Sequence, residues 1–267
     1  TEAMKWLHQS AGQGCVTAQG MLGCIYYLGE GTAQNDKESS KWFRKAADQG
    51  DAIAQFCLGM LYASGFGVEQ SFSDAAKWYT LAAEQGHVDA QNTLGYMYAN
   101  GEGILQDAEL AIKWWREAAG QGNVEAMNNL GLMYYYAFND NEEAAAWWRE
   151  AAEGGDADAQ FNYGILYARG EGVGLDYNEA NKWMRLAAER GQSDAMAHLG
   201  DTYKFGWGVQ VNQTNAAQWY RKAAAQSNAY GQAALGFAYL TGGGVEQDYM
   251  KAEQLCREAA EKGQAKA

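Results

Sequence analysis

A chain of 267 residues, 48% hydrophobic and 20% charged, carries enough apolar surface to bury a continuous core, which excludes intrinsic disorder. Its 33 acidic against 20 basic side chains leave a net charge of -13, which repels phosphate backbones and anionic lipid heads and argues against nucleic acid as a partner. No apolar run approaches the ~20 residues that a membrane-spanning helix needs, so no membrane insertion is expected.

The chain opens in what reads as the second helix of a preceding unit, residues 1–14, marked by Ala3, Met4, Trp6 and Ala11. From there the tryptophan returns at Trp42, Trp78, Trp114, Trp147, Trp183 and Trp219, at intervals of 36 residues except for one of 33, with Leu255 as the last member. Seventeen residues after each Trp stands a glycine (Gly23, Gly59, Gly95, Gly131, Gly164, Gly200, Gly236), and three later a tyrosine (Tyr26, Tyr62, Tyr98, Tyr134, Tyr167, Tyr203, Tyr239). An alanine follows each Trp, or its stand-in, by five residues, from Ala11 to Ala260. These columns divide the chain into about seven units, 15–50, 51–86, 87–122, 123–155, 156–191, 192–227 and 228–263, with 264–267 opening a further helix.

Each unit reads as helix, glycine loop, helix. In the first helix of residues 51–86, Ala54, Leu58, Leu61 and Tyr62 recur at the spacing of one helical face. A Gly-x-Gly such as Gly65 and Gly67 then stops the helix and turns the chain. The second helix opens seven residues before each Trp with a capping side chain: Asn35, Ser71, Asp107, Asp140, Asp176, Asn212 or Asp248. The mid-helix glycines imply a close helix crossing, with the Trp ring filling the gap between adjacent helices. Gly14, Gly50, Gly86, Gly122, Gly155, Gly191 and Gly263 close the second helices, with Ser227 in that place once. The fourth unit lacks three residues and its Gly-x-Gly between Tyr134 and Asp140, so its turn must differ. The expected fold is all-α, one α-solenoid of antiparallel helix pairs over residues 1–267.

The pattern Ala-x-x-Leu-Gly-x-x-Tyr, then Gly-x-Gly, then Trp with its Ala-Ala pair and closing Gly, nearly complete in residues 90–122, resembles the Sel1-like repeat, a relative of the tetratricopeptide repeat. The resemblance spans the whole chain and implies a right-handed superhelix that serves as an adaptor or scaffold, with relatives in the bacterial envelope, secretion and host interaction. It lacks the regular cysteine pair with which some bacterial relatives brace each repeat. Both ends look cut through a repeat, so the chain reads as a fragment of a longer array.

By the tetratricopeptide analogy the first helices line the inner curve, and the residues there that vary between units define the ligand. The expected contacts with a partner protein or peptide are Asn92, Tyr96, Asn128, Leu132, Tyr135, Tyr136, Phe161, Arg169, Asp201 and Lys204. Asn92 and Asn128 would hold an extended peptide's backbone through paired amide groups, and Tyr96, Tyr135 and Tyr136 would act as aromatic anchors. The acidic excess favours a partner with a basic face. The arginines of the second helices (Arg44, Arg116, Arg149, Arg185, Arg221, Arg257) are expected to pair with surrounding carboxylates rather than to bind an anion. The alternative is a cell-wall or glycan-associated factor that stacks aromatics on sugar rings.

No catalytic residue, cofactor or metal is expected. His8, His87 and His198 stand in different repeat phases without metal-ligand spacing, and the Gly-x-Gly pairs follow helices rather than strands. Cys24 and Cys57 fall at neighbouring positions of adjacent first helices, within reach of a disulfide, while Cys15 and Cys256 stand elsewhere in the repeat.

Overall fold

The computed structural model describes residues 2–264, which are all-α, with no strand among the described residues. The first compact unit, Thr1–Ala126, holds α1 (Glu2–Gly12), α2 (Val16–Leu28), α3 (Asp36–Ala47), α4 (Ala52–Ser64), α5 (Phe72–Glu84), α6 (Val88–Asn100) and α7 (Ala108–Gly120). Helix α8 (Val124–Tyr136) begins in the first unit and runs on in the second, Met127–Ala267. The second unit continues with α9 (Asn141–Glu153), α10 (Ala157–Arg169), α11 (Tyr177–Glu189), α12 (Ser193–Phe205), α13 (Gln213–Ala225), α14 (Ala229–Thr241) and α15 (Tyr249–Gln264). Even-numbered helices are the first helices of the pairs and odd-numbered ones the second, α1 being the second helix of a preceding pair.

All seven capping residues of the second helices accept a first-turn N–H, as Asp107 does from Leu110 at 3.0 Å and Asp248 from Lys251 at 3.0 Å. The first helices have their own caps, which the sequence reading passed over: Asp51, His87, Asn123, Asp156, Gln192 and Asn228. His87 caps through Nδ1, which accepts from the Ala90 N–H at 3.3 Å and thereby leaves the ring proton on Nε2.

The mid-helix glycines mark close crossings, as expected, but the side chain that crosses them is not the repeating Trp: it is an aromatic ring at five of them, Met184 at Gly164 and Cys256 at Gly236. A Cβ on Gly59 would lie 2.7 Å from Tyr79, and one on Gly95 2.6 Å from Trp115; Gly131, Gly200 and Gly236 face Trp148, Tyr220 and Cys256 in the same way. The partner is the residue after the repeating Trp, which varies between Phe, Tyr, Trp, Met and Cys. The repeating Trp packs instead against a cluster shared by its own first helix and the preceding second helix, as Trp78 does with Leu58 and Leu61 of α4 and Phe43, Ala46 and Ala47 of α3, and so fills the gap between successive pairs. Below these rings lies a floor of fully buried alanines and leucines, such as Ala46, Ala82, Leu58 and Leu94. Burying each such leucine contributes about 2 kcal/mol.

A glutamine thirteen residues after the Trp locks successive pairs together. Gln55, 4% exposed, donates its amide to the Ala47 carbonyl at the end of α3 and accepts from Gln85 at the end of α5 at 2.7 Å. Gln19 and Gln91 repeat both bonds in the first unit, with Gln49 and Gln121 as donors. In the second unit Gln160 keeps the bond to the Ala152 carbonyl, but Arg190 stands where the closing glutamine would be, and its Oε1 is buried without a partner.

In the fourth unit, Asn139 takes the left-handed conformation at φ 53°, and the Asp140 N–H donates to the Tyr134 carbonyl at 2.9 Å. Longer loops close with the corresponding bond, as from Asp107 to Tyr98. The deletion is absorbed by one non-glycine residue while the closing bond is kept. One expectation is corrected. Helix α15 runs through Gly263 to Gln264, so Gly263 does not close it. The further helix expected at 264–267 lies outside the described residues from 265 onward.

Candidate binding surface on the first helices

Side chains fourteen, eighteen and twenty-two residues after the Trp differ in exposure from one first helix to the next. In the first unit Tyr96 is 53% exposed on α6, whereas Asn92 is half-buried and its backbone carbonyl accepts the Trp115 indole N–H at 3.1 Å. In the second unit Asn128 is 8% exposed with its Oδ1 unpartnered, so it is packed rather than presented. Leu132 is half-buried against the cluster around Trp148, and Tyr136 is exposed at the end of α8.

Two of the expected contacts, Tyr135 and Arg169, meet. The Tyr135 hydroxyl donates to Glu171 at 2.8 Å and accepts from Arg169 Nη1 at 3.2 Å; the Glu171 carboxylate and burial raise the phenol above its ordinary range against the opposing pull of Arg169. Phe161 lies against His198, their ring centroids 5.4 Å apart. The Lys204 ammonium lies over the exposed rings of Phe205 and Phe237, about 5 Å from each centroid.

Asp201 has a different role from the one expected. It is 6% exposed and accepts the hydroxyls of Tyr220 at 2.6 Å and Tyr230 at 2.8 Å, tying α12 to α13 and α14. Burial and this carboxylate push the Tyr230 phenol up to about 12 and raise Tyr220 further. The position reads as inward-facing from the repeat phase, but a neighbouring tyrosine reaches across and covers it.

Between α10, α11 and α12 opens a cleft of about 170 Å³ lined by Ile165, Ala168, Met184, His198, Tyr177 and Trp207, with Arg169 at its edge. Its polar floor is internally satisfied: Thr202 donates to Asn181 at 3.1 Å, and Asn181 donates to the Trp207 carbonyl at 2.8 Å. Burial lowers the His198 pKa against the opposing pull of Asp201 and Asp194, so the imidazole stays neutral at pH 7. The Trp207 ring stacks on Tyr177 at 14° and on Phe205 at 29°. Sequence reasoning missed this cleft; its signal was the middle residue of the Gly-x-Gly loop, where Trp207 stands in place of Glu102 or Glu171.

The arginine column is also corrected. Arg44, Arg185 and Arg221 donate to the hydroxyls of Tyr62, Tyr203 and Tyr239, the tyrosine column of the following first helix, eighteen residues on. Arg257 pairs as expected, with Glu253 at 2.6 Å. The repeat sets a phenol, not a carboxylate, opposite the guanidinium.

The four cysteines are free thiols, and Cys24 and Cys57 line one apolar cleft in the first unit. Burial pushes the Cys57 thiol up to about 12 and raises Cys24, whereas the Ala18 N–H and the Ser10 side chain lower exposed Cys15. Iodoacetamide at pH 8 is therefore expected to modify Cys15 first and Cys57 at least ~100-fold more slowly, as read by peptide mass mapping over time. Equal rates at the two positions would contradict this burial pattern. No group of acidic, histidine and cysteine side chains fit to hold a metal occurs among the described residues, and no described helix is long and apolar enough to cross a membrane.

Antiparallel helix pairs, joined by glycine loops and packed through a recurring tryptophan ring, define an α-solenoid repeat protein. The Sel1 repeat family profile matches eight consecutive segments, 1–15, 16–51, 52–87, 88–123, 124–156, 157–192, 193–228 and 229–264, and the chain belongs to that family. The matches start one residue later than the units read from the sequence and count the opening partial copy. The chain is 36% identical, with a TM-score of 0.90 over 98% of its length, to c5321, a protective antigen of uropathogenic Escherichia coli strains with the same repeat fold. It spans 57% of that protein. A Sel1 repeat protein of Oxalobacter formigenes is 30% identical, with a TM-score of 0.80 over 90% of this chain and 96% of the other. A search of curated proteins gave no match. Sel1 repeats generally serve as non-catalytic scaffolds for protein interaction.

Proposed function

We propose that this protein is a scaffold that binds a partner protein through an extended segment laid along the first helices of its repeats. One observation carries the reading. The variable positions of those helices present large exposed aromatics, Tyr96 at 53% in the first unit and Phe237 at 52% in the second, the latter under the Lys204 ammonium. Aromatic and arginine side chains dominate the energetics of protein interfaces. In the second unit the contacts are Leu132, Tyr135, Tyr136, Phe161, Arg169 and Lys204; in the first, Tyr96 with Asn92 beside it. Asn128 and Asp201 support these helices from beneath. The net charge of -13 favours a partner with a basic face around its anchoring residues.

The test is a displayed peptide library selected against the whole chain, followed by titration of the retained peptides. Phe161→Ala with Lys204→Ala is expected to weaken binding at least ~10-fold, and Lys113→Ala on α7 to leave it within twofold. Raising salt from 50 to 500 mM is expected to weaken it as well. Retained peptides indifferent to the first-helix changes would overturn the reading. The stack of Phe205, Trp207 and Tyr177 supports a second reading, the binding of a glycan on ring faces; saturable binding of a peptidoglycan fragment, lost in Trp207→Ala, would favour it.

A further inference from the structure

We propose that the cleft between α10, α11 and α12 takes one phenylalanine- or leucine-sized side chain of the bound segment, with a carboxylate of the same segment held at Arg169. The proposal rests on the scaffold reading above and names the chemistry of its anchor. Size is the first argument. A dry cavity of about 150 Å³ lined by aliphatic and aromatic side chains accommodates benzene, and this cleft measures about 170 Å³. An alanine side chain would leave most of it unfilled.

The second argument is the state of the lining. Ile165, Ala168, Ala180 and Met184 make its walls, Tyr177 and Trp207 its rim, and Asn181 and Thr202 spend their polar groups on each other and on the Trp207 carbonyl. An apolar guest therefore strands no polar group of the floor. His198 is neutral and lies against Phe161, so it adds no charge to be desolvated.

Charge complementarity supplies the third argument. Arg169 is the one cation among the lining residues, and none of them is a carboxylate. Its side chain is 56% exposed; Tyr135 and Glu171 both engage Nη1, leaving further N–H donors of the guanidinium for a carboxylate. A segment that places a carboxylate beside its aromatic or branched residue satisfies the wall and the edge together. The same segment can carry basic residues farther along, where the acidic excess of the chain acts.

N-acetyl-phenylalanine is the smallest probe with both features, and methyl NMR of Ile165 and Met184 in the whole protein reports its entry. The expected result is saturable shifts of both methyls and of the His198 ring, with N-acetyl-phenylalanine amide at least threefold weaker and N-acetyl-alanine without effect. Ala168→Phe fills the cleft and abolishes the shifts, and Arg169→Gln makes acid and amide bind alike. Absence of shifts at 20 mM probe, or equal response to N-acetyl-alanine, overturns the proposal. A preserved acid preference in Arg169→Gln overturns the assignment of the carboxylate. Selected peptides that still bind Ala168→Phe with unchanged affinity sink the cleft while leaving the scaffold reading in place. Probe entry without any peptide binding along the first helices sinks the scaffold reading instead.

Discussion

Replacing Gly172 by alanine is expected to destabilise the second unit by about 4 kcal/mol, which corresponds to a fall in melting temperature of about 10 °C. Two costs add. Gly172 sits at φ +67°, where an L side chain costs about 1–2 kcal/mol. A Cβ there would also overlap the backbone carbonyl of Asn141 at the start of α9. Backbone at a helix start cannot step aside as a rotamer can, so the loop must lift from the preceding second helix at a cost of about 1–3 kcal/mol. Gly191→Ala is the matched control. Its φ is +95°, but a Cβ there would meet nothing within 4 Å, so about 1 kcal/mol is expected. Urea midpoints of the two variants separate the costs, and equal losses would show that the seating of the loop on α9 contributes nothing.

Asp201→Ala is expected to cost about 3 kcal/mol, because it removes the shared acceptor of two phenols and leaves the Tyr220 hydroxyl buried without a partner. Tyr220 is 2% exposed, so water cannot replace the lost bond without repacking. Asp201→Asn keeps one acceptor and should recover roughly half of that loss. The network also sets a pH dependence. Folded-state values of Tyr220 and Tyr230 lie above the ordinary 10, Tyr230 at about 12. Between those limits the unfolded chain releases phenolic protons that the folded chain retains, so their contribution is complete below pH 10 and is lost as pH rises through the folded values. Urea midpoints at pH 8, 10 and 11 should fall steadily in the parent and less steeply in Asp201→Ala. An identical slope in both proteins would show that the carboxylate does not hold these protons.

The fold was legible because its determinants recur. A glycine, a tyrosine and an alanine at fixed distances from a tryptophan mark helix crossings that every pair must repeat, and the caps of the second helices could be named one by one. The side chain that crosses each glycine was not, since its position tolerates Phe43, Tyr79, Trp115, Met184 and Cys256 alike and leaves no single letter to follow. Gln55 and its counterparts escaped notice for a different reason. Glutamine reads as a solvent-facing residue, and its burial makes sense only once the acceptor, a carbonyl eight residues earlier, is brought beside it.

The candidate surface was legible in part. Position in the repeat placed Tyr96, Arg169 and Lys204 with Asn128 and Asp201 on the inner-curve side of the first helices, yet it could not tell that Tyr220 and Tyr230 reach over Asp201, or that Asn128 is sealed in. The cleft arises from residues that break the pattern on separate helices and a loop: Asn181, His198 and Trp207. Periodicity is blind to such coincidences, because each occurs once.

The buried glutamine also decides how freely a pair could be transplanted. Gln55 draws its acceptor from the pair before it and its donor, Gln85, from its own. A graft cut just ahead of Asp51 therefore carries half of its junction and must find the other half, a terminal alanine carbonyl, in the host. Helix α12 bears Met196 at the same place, where the Gln226 amide meets only a sulfur at 3.8 Å. Shuffled behind α3, it would offer the Ala47 carbonyl no amide. The copies look alike in their columns, yet they are not interchangeable bricks.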